Sequence, residues 1–174
     1  HSGRMAAAMT RGAQSKGVNC YIKHVGINEQ ETDRPGLTTY VDEQTMREVY
    51  FRSYEYAVKE GKATGVMTAM CRIGSLPAQS NYAMMNTMIR GEWGFKGAAN
   101  SDKSGADNGA ANYSQRGGCD FPLGTYGGKN SVYGEWDAVN NKVLDDTLPD
   151  KPVDDIQWYA VRTSAMRMLW VAAN

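Results

Sequence analysis

The order of the apolar segments constrains this chain most. Short runs rich in β-branched and small apolar residues alternate with longer stretches whose apolar positions recur at steps of three and four. Residues 18–22, 65–70, 97–101 and 119–123 read as strands. Residues 42–60, 80–93, 110–116 and 155–173 read as helices. In the first helix Met46, Val49, Tyr50, Tyr54, Ala57 and Val58 fall on one face, Gly61 stops it, and Thr39 with Asp42, or Asp42 itself, caps its start. The last helix carries Trp158, Val161, Ala165, Met168, Leu169 and Ala172 on one face. Strands that alternate with helices must run parallel and be joined by crossovers, so the expected class is α/β, either an open sheet or a (β/α) barrel. Four such units make half of a barrel. Residues 125–154 lack periodicity and read as a long loop, of a length that in a compact domain is functional or packs on something else.

Charge narrows the partners. Nineteen basic residues balance 19 acidic ones in 174, and no Lys/Arg run occurs, so neither nucleic acid nor an anionic membrane is an expected partner. The longest clean apolar run, 168–173, is far short of the roughly 20 residues that cross a bilayer, so a soluble protein is expected, cytoplasmic or secreted. Residues 5–9 are too short for a signal peptide, and the start, His1-Ser2-Gly3-Arg4, reads as a cut within a longer chain. Cys20, Cys71 and Cys119 are widely spaced with only two histidines to assist them, which points to reduced, mostly buried thiols and to no bound metal or other cofactor. Ten methionines at helical spacings or in strands read as core filler.

In parallel α/β folds the polar residues at the C-terminal ends of the strands converge on one face, where sites form. Those ends present Lys23 and His24, then Met70 and Arg72, then Ser101 and Asp102, then Asp120. Lysine and histidine donate hydrogen bonds to hydroxyl oxygens, and a carboxylate accepts them or attacks, so this set suits a neutral, hydroxyl-rich substrate. Taken singly, each residue has a plainer reading: His24 as a structural histidine, Asp102 as a helix cap, Asp120 before Phe121-Pro122 as a turn residue. The motifs of serine hydrolases, zinc peptidases, P-loop NTPases and dinucleotide binders are all missing. A Cys71 or Cys20 nucleophile with His24 lacks a third, orienting group.

The stretch Lys23-His24-Val25-Gly26-Ile27-Asn28-Glu29-Gln30-Glu31-Thr32-Asp33-Arg34 resembles the K-H-F-x-x-N-x-Q-E-x-x-R signature of glycoside hydrolase family 3, in its β-glucosidase branch. Matching segments follow in order: Val66-Met67-Thr68-Ala69-Met70 with Arg72-Ile73-Gly74, Arg90-Gly91-Glu92-Trp93-Gly94-Phe95-Lys96-Gly97, Ser101-Asp102, and Gly118-Cys119-Asp120. The resemblance implies a partial (β/α)8 (TIM-type) barrel of about four βα units from the C-terminal half of the family's N-terminal catalytic domain. It implies a retaining β-glycosidase that acts at non-reducing ends. Asp102 is then the nucleophile, and Lys23, His24, Arg34 and Met70 bind substrate. Retention requires a second carboxyl group roughly 5 to 5.5 Å from the first. In this branch that acid/base comes from a second, α/β sandwich domain, which residues 1–174 do not include.

A sister branch of N-acetylglucosaminidases carries a histidine-bearing loop after the Lys-His-Phe, whereas this chain has Asn28-Glu29-Gln30-Glu31. Three departures stand out: Val25 for Phe, Met70-Cys71 for Tyr-Asn, and Lys103 where an apolar residue is common. The changes at Met70, Cys71 and Lys103 keep open an inactive carbohydrate-binding or scaffold form of the same fold. The third strand, with Ala98-Ala99-Asn100, is also poor in the β-branched residues that buried parallel strands favour. The implied partners are a β-glucoside or related oligosaccharide, and the rest of the polypeptide or other chains completing the barrel. The 174 residues alone are expected to be inactive.

Overall fold

The computed structural model describes residues 1–34, 37–102, 111–123, 136–137, 142–143 and 155–174. The chain starts with helix α1 (Ser2–Gln14) and enters β1 (Tyr21–Val25), the first strand of the main sheet. A two-residue strand β2 (Thr38–Thr39) precedes a helical segment that begins as α2 (Glu43–Thr45), widens into a π-type turn over Met46–Tyr50 and continues as α3 (Arg52–Lys59). Strand β3 (Gly65–Thr68) returns to the main sheet, and β4 (Arg72–Ile73) and β5 (Leu76–Pro77) form a small hairpin beside β2. A ten-residue π-type helix (Ala83–Glu92) leads to β6 (Ala98–Ser101), then α4 (Ala111–Gly117), the short ladder β7 (Trp136–Asp137) with β8 (Lys142–Val143), and α5 (Asp155–Ala173).

Among the described residues the main sheet has the order β1-β3-β6, and both pairings are parallel. The fourth expected strand, 119–123, contracts to a single parallel bridge between Asn100 and Phe121. The chain is thus a partial α/β barrel. Expected and observed elements agree closely from residue 65 to 101 and over 155–173. The first strand lies three residues later than expected, because Lys23 and His24 belong to it and do not follow it. Helix α1 was not foreseen. Most of the 125–154 loop lies outside the described residues.

Asp42 by itself caps the first helical segment: its carboxylate accepts from the Thr45 amide at 2.8 Å and the Thr45 hydroxyl at 2.7 Å. Thr39 instead pairs with Ile73 in the small sheet. The core lies where this segment and the π-type helix pack on the sheet, with Val25, Phe51, Val66, Met85, Ile89 and Ala99 inaccessible to solvent. Phe51 meets Trp93 edge to face, with ring centroids 6.3 Å apart. Met84, Met85 and Met88 are core filler as expected, whereas Met5, Met9 and Met166 lie exposed.

Strand β6 is fully buried, and its entry at Gly97 has room only for glycine. A Cβ on Gly97 would collide with the Thr64 carbonyl oxygen, so β6 enters the sheet by close backbone approach. The Ala99 amide donates to the Asp120 carboxylate at 2.8 Å, and the Asp120 amide donates back to the Ala99 carbonyl at 2.7 Å.

Helix α5 corrects the expected face. It buries Ala160, Ser164 and Val171 and turns Arg167 inward, while Trp158 is 64% and Leu169 70% exposed. Small residues allow the helix to approach closely, and Arg167 is drawn in by a buried carboxylate described below.

Candidate active site

The three parallel strands end at one level, since Val25 pairs with Thr68 and Thr68 with Ser101. Side chains at or just beyond those positions therefore share a rim. His24 precedes Val25 on β1, Met70 follows β3 by two residues, and Asp102 follows Ser101 directly. Gly26, at φ 133°, turns the chain away from β1 at a point where a Cβ would press on that of Ala69 at 2.9 Å. The loop it starts carries Asn28, Glu31 and Arg34 over the rim. The Lys23–His24 peptide is cis.

Three expected residues meet. His24 Nε2 lies 3.3 Å from Asp102 Oδ2, and Arg34 Nη1 lies 3.9 Å from the same oxygen. Both distances exceed the roughly 2.7–2.9 Å of a tight charge-assisted hydrogen bond, so the imidazole and the guanidinium flank the carboxylate at longer range. Arg34 is shared with Glu31, whose Oε2 lies 3.5 Å from its Nε. Lys23 is exposed on β1, close enough for its charge to act on His24. Met70 is half-buried at the same end of the sheet.

The imidazole of His24 is held below its ordinary value of 6.5, mainly by burial. Asp102 and Glu31 oppose that shift, and Lys23 and Arg34 add to it. At neutral pH His24 is therefore an uncharged ring that offers one donor and one acceptor, the form suited to a hydroxyl group.

For Cys71 the nucleophile reading finds no support. Cys71 is fully buried, its thiol faces Asn28 Oδ1 at 3.6 Å, and burial pushes its pKa up, the reverse of an activated nucleophile. Cys119 is likewise buried and pushed up, and none of the three cysteines forms a disulfide.

Asp120, a strand-end candidate in the sequence, does not join the rim cluster. It is fully buried and accepts from Arg90 Nη2 at 2.7 Å, from Arg167 Nη1 at 2.9 Å and from the Ala99 amide. Neither the turn reading nor the site reading describes it: it ties β6 to α5. Burial lowers the pKa of Arg90 to about 10, against the opposing pull of Asp120, and leaves it a cation at neutral pH. Two further contacts had no sequence signal, the Tyr54 hydroxyl donating to the His24 carbonyl at 2.8 Å and the Asn28 contact to Cys71. Tyr54 showed only as one apolar position of a helical face.

The family model described as the glycosyl hydrolase family 3 N terminal domain matches residues 1–123. The chain belongs to glycoside hydrolase family 3. Family 3 relatives include beta-glucosidase B of Emericella nidulans, 38% identical over 107 residues that make up 62% of this chain and 13% of that protein. The exo-alpha-(1->6)-L-arabinopyranosidase of Bifidobacterium longum is 36% identical over 107 residues, 62% of this chain and 14% of that one. Among solved family 3 structures, beta-glucosidase 3B from Thermotoga neapolitana in complex with glycerol superposes with a TM-score of 0.75 at 28% identity, covering 98% of this chain and 23% of that one. The chain thus spans less than a quarter of these relatives' length. The partial barrel is their fold, and the rim cluster lies within the matched segment.

Proposed function

We propose that this chain carries the nucleophile and sugar-binding rim of a retaining β-glycosidase, in the simplest case a β-glucosidase. The observation that carries the reading is the meeting of His24 and Asp102, 3.3 Å apart at the C-terminal rim of parallel strands. In that reading Asp102 attacks the anomeric carbon while the glycosidic oxygen departs with a proton from an acid. A glycosyl–Asp102 ester forms. Water, deprotonated by the same acid/base group, then cleaves the ester and releases the sugar with its configuration retained. Arg34 orients the carboxylate; Lys23 and neutral His24 hold ring hydroxyls, and Met70 lines the same subsite. The acid/base comes from outside residues 1–174, which form the C-terminal half of the catalytic barrel, and no cofactor takes part. By themselves these residues turn over no substrate.

The test is covalent trapping. A 2-fluoro glycosyl substrate incubated with the full-length polypeptide is expected to leave a sugar adduct on the peptide containing Asp102, and Asp102→Asn is expected to leave none. An adduct on another residue would remove Asp102 from the mechanism. A second reading, a sugar-binding but inactive form, is favoured by Met70-Cys71 in place of Tyr-Asn; it predicts sugar binding with no adduct. Because relatives of nearly equal similarity are named for glucosides and for an L-arabinopyranoside, the trial uses chromogenic substrates of both sugars.

A further inference from the structure

We propose that Tyr54 is a positioning residue for the rim, holding the β1 backbone at His24 so that the imidazole stays beside Asp102. The proposal rests on the reading of His24 and Asp102 as parts of a sugar site. The pairing of β1 with β3 carries an irregularity at this point: Ile22 pairs with Val66 and Val25 with Thr68, so three steps on β1 match two on β3. One extra residue is accommodated at Lys23–His24. Bulges of this kind re-aim side chains beside active sites, and they break the ladder that would otherwise hold the backbone. A donor from another element restores the hold. The Tyr54 hydroxyl, on α3, donates to the His24 carbonyl at 2.8 Å, while its ring packs against the core. Burial foremost, and the charge of Glu29, keep the phenol protonated well above neutral pH, so the donor is constant wherever His24 titrates.

The proposal differs from a packing role in what it couples. If Tyr54 acts by aiming the imidazole, its hydroxyl matters to the His24–Asp102 interaction and only weakly to the fold. Tyr54→Phe keeps the ring and removes the donor.

The groups whose charge acts on His24 are Asp102 beyond β6, Lys23 on β1, and Arg34 and Glu31 on the loop after β1. Of these, only Asp102 is removed in the test. His24 is titrated by NMR in the full-length polypeptide labelled at histidine Cε1, its resonance assigned by its loss in His24→Asn. The expected result is that Tyr54→Phe weakens the hold of Asp102 on the imidazole, lowering its proton affinity roughly threefold, as expected for one lost hydrogen bond of ordinary net strength. In an Asp102→Asn background the same change should leave the titration unmoved. A titration that fails to fall, or that falls equally in both backgrounds, overturns the proposal. Circular dichroism of the variant monitors the fold. The sugar-site reading fails separately: a wild-type polypeptide that binds neither an aryl β-glucoside nor glucose removes that reading, while the titration still decides the role of Tyr54.

Discussion

Two aspartates, Asp102 and Asp120, follow neighbouring strand positions of the same half-barrel, and each faces two cationic or ionisable partners. Asp120 has no exposed side-chain surface and is saturated at 2.7–2.9 Å by two guanidinium groups and a backbone amide. Asp102 keeps 17% of its side chain exposed, with His24 and Arg34 among its neighbours at 3.3 and 3.9 Å. The difference teaches how a partial barrel separates a sealed brace from an open rim. A carboxylate sealed from solvent between two arginines is part of the frame, whereas one at a partly open rim can be reached by a ligand.

Asp102→Asn in the full-length polypeptide probes the functional half of this contrast, and it carries the largest expected effect. Turnover of a chromogenic β-glycoside should fall by about four orders of magnitude or more, as when other covalent nucleophiles are removed. Its urea midpoint should stay within about 1 kcal/mol of wild type, since the carboxylate is partly solvated. Asp120→Ala should do the reverse and cost about 3–5 kcal/mol in urea unfolding, because it strands two guanidinium groups in the interior. If the two variants lost similar stability, the contrast would be wrong.

Arg167→Met sharpens the frame half. It removes one of the two guanidinium groups on Asp120 and leaves Arg90 in place, so a loss of about 1–3 kcal/mol is expected by the same measurement. A neutral outcome would mean that Arg90 alone braces the carboxylate.

The smallest effect is a pH slope. The folded-state pKa of His24 lies below 6.5, so as pH falls below 6.5 the unfolded chain takes up the proton first and stability drops until the folded-state value is passed. His24→Gln should flatten the slope of urea stability over that window and leave it unchanged above pH 7. An unaltered slope would show that the ring titrates alike in both states.

How much of this was legible follows from the range of each interaction. The alternation of elements is a local periodicity and was readable, as was the joint placement of His24, Arg34 and Asp102, which rests on strand ends and a contiguous signature. The brace was not readable. Arg90, Asp120 and Arg167 are 30 and 47 residues apart, and no spacing rule links them. The inward face of α5 has the same cause: Trp158 and Leu169 recur at apolar spacing, while the long-range pair with Asp120 turns Arg167 inward. The late start of β1 has a different cause, since Lys23 and His24 are polar strand residues that a reading by apolar runs places after the strand. Tyr54 belongs to a set of apolar positions at helical spacing, and such a pattern is blind to a single hydroxyl.

The amide of Ala99 donates into the Asp120 carboxylate, three residues before Asp102. Such an amide is expected to exchange its hydrogen with solvent only when the whole chain opens, because freeing it uncovers a charge held by two arginines. The strand that leads to Asp102 is then expected to be among the last parts of the chain to open.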